Sequence, residues 1–161
     1  FGGHGRAAGF SIAQERLPDL KKRMEDYCAQ VLSAEDVIQQ LSLDGEITMP
    51  DINKKLMEDI GQCEPFGEHN SEPLFYLKKV VLVRAPHLLK DAHVKGLVFA
   101  DGVMKPVIFF NRPDLYEPLR AQQSEPFDLA VRVKDNYWKD NVTIELQGLD
   151  AAHLRIQRDG A

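Results

Sequence analysis

The sequence predicts an α+β protein, with an α/β region over residues 1–63 and a small closed β-barrel over residues 74–161. Three observations carry that expectation. Apolar residues recur every three or four positions early in the chain and every second position beyond residue 80. Between the two patterns lies Glu64-Pro65-Phe66-Gly67-Glu68-His69-Asn70-Ser71-Glu72-Pro73. Its prolines, glycine and polar residues forbid regular structure, so residues 64–73 are expected to be a linker and a domain boundary. The second half then holds about five short strands with tight turns, which suits a closed barrel better than an open sheet.

The helical part begins at Leu17. Leu17, Leu20, Met24, Cys28 and Val31 fall on one helix face, and Pro18 suits the first turn, where a missing N–H costs nothing. Ser33 with Asp36 has the form of a capping box opening a short turn through Val37, Ile38 and Leu41. Residues 43–49 have strand character, with Asp44-Gly45 as a bulge or turn. Asp51 is expected to cap a helix whose Ile52, Leu56 and Ile60 face inward, ended by Gly61. In the second half, alternation marks strands around Val80–Arg84, His93–Phe99, Val107–Phe110, Leu129–Lys134 and Val142–Gln147. Turns are expected at Asp101-Gly102 and near Lys139-Asp140. An OB-fold is the smallest common barrel with that strand count.

Composition narrows the function classes. No run of about 18 apolar residues could cross a membrane, and no apolar signal region follows a basic start. Cys28 and Cys63 lack a C-x-x-C spacing and read as reduced thiols of a cytoplasmic protein. The net charge of −5 hides an asymmetry. Residues 1–72 carry 7 Lys/Arg and 14 Asp/Glu, whereas residues 76–112 carry 7 Lys/Arg against Asp91 and Asp101 alone. The basic charge is therefore concentrated where the barrel begins, either as a nucleic-acid footprint or as a solvated face.

The strongest local signal is Phe1-Gly2-Gly3-His4-Gly5-Arg6-Ala7-Ala8-Gly9-Phe10. Glycines let a backbone turn sharply and present N–H groups to an anion, and His4 and Arg6 add side-chain donors, so a phosphate is the natural guest. The alternative is a tight turn with an exposed histidine. Gly-Gly-His followed by Ala-Ala-Gly resembles the signature of the DHHA1 domain of DHH-family phosphoesterases. That resemblance implies that residues 1–63 are the C-terminal part of such a domain. It also implies that Gly2, Gly3 and His4, and less directly Arg6, contact a substrate phosphate across the cleft from a metal site.

A second resemblance selects the subfamily. Glu64-Pro65-Phe66-Gly67, with Asn70 and Glu72-Pro73, is similar to the segment joining DHHA1 to the barrel in RecJ-type exonucleases. His93-Val94-Lys95 resembles that family's His-Leu-Lys, and Asn136-Tyr137-Trp138 falls where it carries Asn-x-Trp before a long strand. The stretch Arg84 to Asp91 departs from the family's short glycine-containing turn. The resemblance implies a C-terminal fragment of a 5′→3′ exonuclease specific for single-stranded DNA, acting in repair and recombination.

The barrel residues agree with a strand-holding role on their own chemistry. Bases stack on aromatic faces and cations track the phosphates. Tyr76, Phe99, Tyr137 and Trp138 are the stacking candidates, with Trp138 placed first for its position beside Lys134, Lys139 and a turn. Lys78, Arg84, Lys95, Arg132 and Lys134 are the phosphate candidates, and His93 is a further contact. DHH-type hydrolysis uses two divalent metals held by clustered Asp and His. This chain has no Asp-His-His, and its histidines are scattered at 4, 69, 87, 93 and 153. No catalytic or metal residue is therefore assigned here. The resemblance places Mn²⁺ or Mg²⁺ in a DHH domain outside these residues, which leaves this fragment inactive alone. Single-stranded DNA is the expected partner, with other repair proteins besides. A non-catalytic protein-interaction module of a repair complex is the competing expectation, and another DHHA1 carrier ranks below both because it leaves the barrel unexplained.

Overall fold

The protein is described from a computed structural model over residues 2–5, 7–38, 40–122, 125–138 and 141–152, and at His4, Tyr137, Trp138 and Asn141 over the backbone alone. It divides into two units, residues 1–41 and 42–161.

In the first unit the glycine-rich opening forms a hairpin. β1 (Gly2–His4) pairs antiparallel with β2 (Ala7–Gly9), with Gly3 opposite Ala8. A Cβ at Gly3 would lie 2.7 Å from the Ala7 carbonyl oxygen, so the close approach of the two strands requires glycine there. After a 3₁₀ turn at Gln14–Arg16, α1 (Leu17–Val31) follows the expected bounds, with Pro18 in its first turn. Its apolar stripe is not buried within this unit. Ser33 and Asp36 make the reciprocal capping bonds, Asp36 N–H donating to Ser33 Oγ and Ser33 N–H to Asp36 Oδ2. They close a turn rather than open a helix.

The second unit begins well before the proline-rich segment. β3 (Gly45–Glu46) leads to a 3₁₀ turn at Met49–Asp51 and then to α2 (Lys54–Gly61). The helix cap differs from expectation. Asn53 Oδ1 accepts from Lys55 N–H at 2.9 Å and Leu56 N–H at 3.3 Å. Asp51 instead pairs with Thr48, whose N–H and hydroxyl both donate to its carboxylate. Pro50 sets the preceding 3₁₀ turn and so moves the helix start two residues on. Met49, Ile52 and Ile60 are buried in the same core as the strands that follow. That packing places the division by contacts between Leu41 and Ser42, whereas composition suggests residues 64–73. Within the latter segment, Gly67 and Asn70 exchange backbone hydrogen bonds, and Asn70 Nδ2 donates to the carbonyls of Cys63 and Pro65. Cys28 and Cys63 are both free thiols.

The strands are β4 (Phe75–Leu82), β5 (His87–Leu89), β6 (His93–Ala100), β7 (Val103–Phe109), β8 (Phe127–Trp138) and β9 (Asn141–Ala152), with α3 (Tyr116–Ala121) between β7 and β8. The sheet order is β3-β4-β8-β9-β7-β6-β5, and a further β4–β6 pairing closes five of these strands into a barrel. β7 and β9 pair in parallel, and the other barrel neighbours are antiparallel. This is the five-stranded Greek-key barrel of an OB-fold. Asp101 and Gly102 both have positive φ and make the two-residue turn expected between β6 and β7. The Lys139-Asp140 turn lies outside the described residues.

β4, β8 and β9 are longer than alternation suggests, and β5 is an additional strand. β4 begins at Phe75 because Tyr76 and Lys78 are outward-facing, and a bulge at Lys79 (φ 53°) interrupts the period. β5 arises from the divergent stretch 84–91, where a hairpin replaces a short turn. Leu77, Val80, Val94, Val98, Val107, Phe109, Phe127, Leu129, Val131, Val133 and Leu146 fill the barrel, with Leu115 and Leu119 of the α3 segment among them.

Arg112 ties the entry of α3 to β9. Its guanidinium donates to Asp114, to the Leu149 carbonyl at 2.6 Å and to Asp150 at 3.3 Å. The hydrogen bonds from Arg112 hold the Asp114 carboxyl below the ordinary carboxylate range, partly opposed by desolvation. A depressed folded value means that this contribution is complete above the unfolded pKa of about 4 and is lost as pH falls through the folded one. Because Asp114 is largely exposed, it amounts to no more than about 1 kcal/mol. Asp114→Asn is therefore expected to lower the denaturant midpoint at neutral pH and to match the parent protein at about pH 2. A difference that persists unchanged in acid would contradict this role.

Candidate nucleic-acid interface

Sheet register decides which of the predicted residues meet. The Asp101-Gly102 turn makes Lys95 oppose Ile108, Leu97 oppose Pro106 and Phe99 oppose Met104. Paired residues of an antiparallel ladder share a face. Val94, Val98, Val107 and Phe109 point into the barrel, so these three pairs lie outside. The row continues across the sheet, because Ile108 pairs with Gln147 on β9 and Gln147 with Arg132 on β8. Lys134 opposes Glu145 on the same outer face. Lys95, Arg132 and Lys134 thus come together on one surface.

The apolar part of that surface is open to solvent. Phe99 is 39% exposed, Met104 58% and Phe110 47%. His93 meets Phe110 edge-to-face at 5.4 Å between ring centres, and the Asn111 N–H donates to His93 Nδ1 at 3.0 Å. That bond makes Nδ1 the acceptor, so the neutral ring carries its proton on Nε2. Phe110 and Met104 were not singled out by the sequence pattern. Period two beyond the buried Phe109 gives Phe110 an outward direction, and the two-residue turn sets Met104 against Phe99.

The cations are compensated. Lys95 Nζ lies 2.9 Å from Glu145 Oε1. Glu72 pairs with Lys134 at 2.5 Å and lies 3.8 Å from Arg132 Nε. Lys78 pairs with Glu46 of β3 and sits 5.5 Å over the Tyr76 ring. Arg84 is exposed in the β4–β6 connection and has no carboxylate partner among the described residues.

Tyr76 is tied down by its hydroxyl, which donates to Asp128, and the Lys79 N–H donates to the same carboxylate at 2.9 Å. The bond to Asp128 holds the phenol proton and raises the Tyr76 pKa. Asp128 thereby braces the β4 bulge from β8. Tyr76 and Lys78 form a group beside β3, on β4 and not on the β6–β7 pair. Tyr76→Phe is expected to lower the denaturation midpoint by leaving the buried Asp128 carboxylate short of one donor. An unchanged denaturation midpoint would show that the bond contributes nothing.

Several predicted positions lie outside the described residues. Arg6 and the side chains of His4 and Trp138 are among them. The backbone of Trp138 pairs with Asn141 at the end of the β8–β9 hairpin. In the first unit, Gly2, Gly3 and His4 form one strand of the tight hairpin. Among the described residues no group of three or more His, Cys, Asp or Glu could hold a metal ion, and no helix is long and apolar enough to cross a membrane.

Comparison with known proteins agrees with this architecture. Residues 43–150 match the RecJ OB domain family. The single-stranded-DNA-specific exonuclease RecJ of Bacillus subtilis is 26% identical over 153 residues, covering 94% of this chain and 19% of that protein. Its counterpart from Thermus thermophilus is 28% identical over 152 residues, covering 93% and 20%. The crystal structure of Thermus thermophilus RecJ with Mg²⁺ superposes with a TM-score of 0.68 at 25% identity, covering 93% of this chain and 22% of that one. The Mn²⁺ complex gives 0.69 at 24%, a likeness of fold. The chain spans about a fifth of the length of these relatives. The match covers most of the chain and coincides with the second unit: the protein belongs to the RecJ OB domain family.

Proposed function

We propose that this chain holds single-stranded DNA for a RecJ-like exonuclease of DNA repair and recombination. The strand lies on the outer face of β6 and β7, between the β4–β6 connection and the β8–β9 hairpin. OB-folds bind oligonucleotides on their second and third strands and the flanking loops. The observation that carries the proposal is the juxtaposition on that face of exposed Phe99, Met104 and Phe110 with Lys95, and with Arg132 and Lys134 further along the same surface. Bases stack on the rings, each worth about 1–3 kcal/mol, while phosphates follow the cations. Arg84 and His93 contribute from the β4–β6 side and Trp138 from the hairpin side. Tyr76 and Lys78 extend the track only by giving up their present partners.

In this reading Gly2, Gly3, His4 and Arg6 contact the scissile phosphate, and cleavage runs 5′ to 3′ in the cytoplasm. Divalent metal chemistry belongs to the DHH domain of the whole enzyme. The described residues offer no ligand set for it, so no hydrolytic step is assigned to them.

Docking of a partner repair protein is the second reading. It is favoured by one observation, that four of the five predicted phosphate-binding cations already pair with carboxylates. Trp138 is the sole tryptophan, so its emission reports binding without a label. Titration with an unstructured oligonucleotide is expected to change that emission, with an affinity that falls as salt rises. Absence of any salt-dependent change would favour the protein-docking module.

A further inference from the structure

We infer that Glu72 and Glu145 set how tightly the barrel grips a strand, by competing with phosphates for Lys95, Arg132 and Lys134. The inference rests on the proposed strand-holding role and adds residues to it that oppose binding. Both carboxylates are held within the face, their side chains 17% and 14% exposed, and are not free at its rim. Glu145 stands opposite Lys134 in the ladder and reaches across β7 to Lys95, so it lies between two of the three cations. Asn136 Nδ2 donates to its other oxygen at 3.2 Å, which fixes the carboxylate there. Glu72 touches Lys134 as well and approaches Arg132, the third cation. Three cations and two carboxylates leave a net charge of about +1 on a surface where the cations alone would give +3.

A phosphate arriving at this surface must share a lysine with a carboxylate or displace it. A displaced carboxylate keeps its charge in a partly desolvated place, where it repels the strand. Each phosphate contact is therefore an exchange of anions rather than an added ion pair. Fewer counterions are released per contact, and the salt dependence is shallower than three cations would produce. A strand held by exchange is held loosely enough to advance past the face.

The test uses the full 161-residue chain, a fluorescein-labelled oligothymidylate and anisotropy over a salt series. Glu145→Gln and Glu72→Gln keep the shape and remove the charge. Each is expected to bind about fivefold tighter than the parent at low salt, by loss of one nearby repulsion. The double variant is expected to bind more than tenfold tighter, with a salt slope steeper by up to about 1.4, or about 0.7 per freed contact. Glu145→Asp, which keeps the charge on a shorter arm, is expected to bind like the parent. Thermal melts of all variants identify any that is unfolded, and Glu72→Gln then stands as the independent case because it lies outside β9. Parent-like or weaker binding by folded Gln variants, while the parent itself binds, overturns the inference, as does an Asp variant that behaves like Gln. Absence of salt-dependent binding by every protein, parent included, overturns the strand-holding role itself.

Discussion

Gly148→Ala is expected to destabilise the barrel by about 1–3 kcal/mol, although it adds only one methyl group. Gly148 lies on β9 beside the Phe109 ring of β7, at the parallel pairing that joins the two halves of the barrel. A Cβ there would stand 2.3 Å from Phe109 Cε1 and 2.6 Å from Cδ1, well inside contact distance. Phe109 is 1% exposed and enclosed by the core, so the ring cannot move aside into solvent. Phe109→Ala should be costly as well, about 3–5 kcal/mol, through lost burial and the cavity left behind. The two changes occupy the same space. Combined, they should cost less than the sum of the single variants, with a coupling of about 1 kcal/mol or more. Denaturant titration of the four proteins measures that coupling, and strict additivity would show that Gly148 is free of the ring.

Replacing Lys95, Arg132 and Lys134 together by alanine is expected to weaken oligonucleotide binding by about a hundredfold at low salt and to flatten the salt slope. The effect is large because the change leaves Glu72 and Glu145 unpaired on the same face, turning a weak attraction into repulsion. Phe99→Ala and Phe110→Ala should each remove about 1–3 kcal/mol of affinity while leaving the slope intact, because stacking releases no counterions. Anisotropy at several salt concentrations separates the two classes. An equal loss of slope in the aromatic variants would mean that they had disturbed the fold rather than a stacking contact.

Much of the barrel was legible in the sequence because its signals are local. Alternation at Val94–Val98 and Leu129–Val133 marks inward residues, and Asp101-Gly102 can hardly be anything but a tight turn. The turn even fixes Lys95 opposite Ile108. What escaped local reading depends on contacts between distant segments. Met49 reads locally as the end of a short strand and Ile52 and Ile60 as one face of a helix, and nothing local shows that all three enter the barrel core, which sets the division before Ser42. α3 is six residues long and contains Pro118, too short for a periodic signal. The pairing of Lys95 with Glu145 follows from register across β6, β7 and β9, and that of Lys134 with Glu72 from the segment before β4 lying beside β8. Composition counts those lysines as free positive charge, whereas the folded face neutralises most of it. Tyr76 shows the same limit, since no local feature indicates that Asp128 will hold its hydroxyl.

The most direct test of the central claim is a two-dimensional amide NMR titration of the chain with oligothymidylate. Binding on the outer face of the second and third barrel strands predicts shifts concentrated at residues 93–99 and 104–111, with smaller ones at Arg132 and Lys134. Shifts confined to α1 or α2, or a spectrum unmoved by saturating oligonucleotide at low salt, would contradict it.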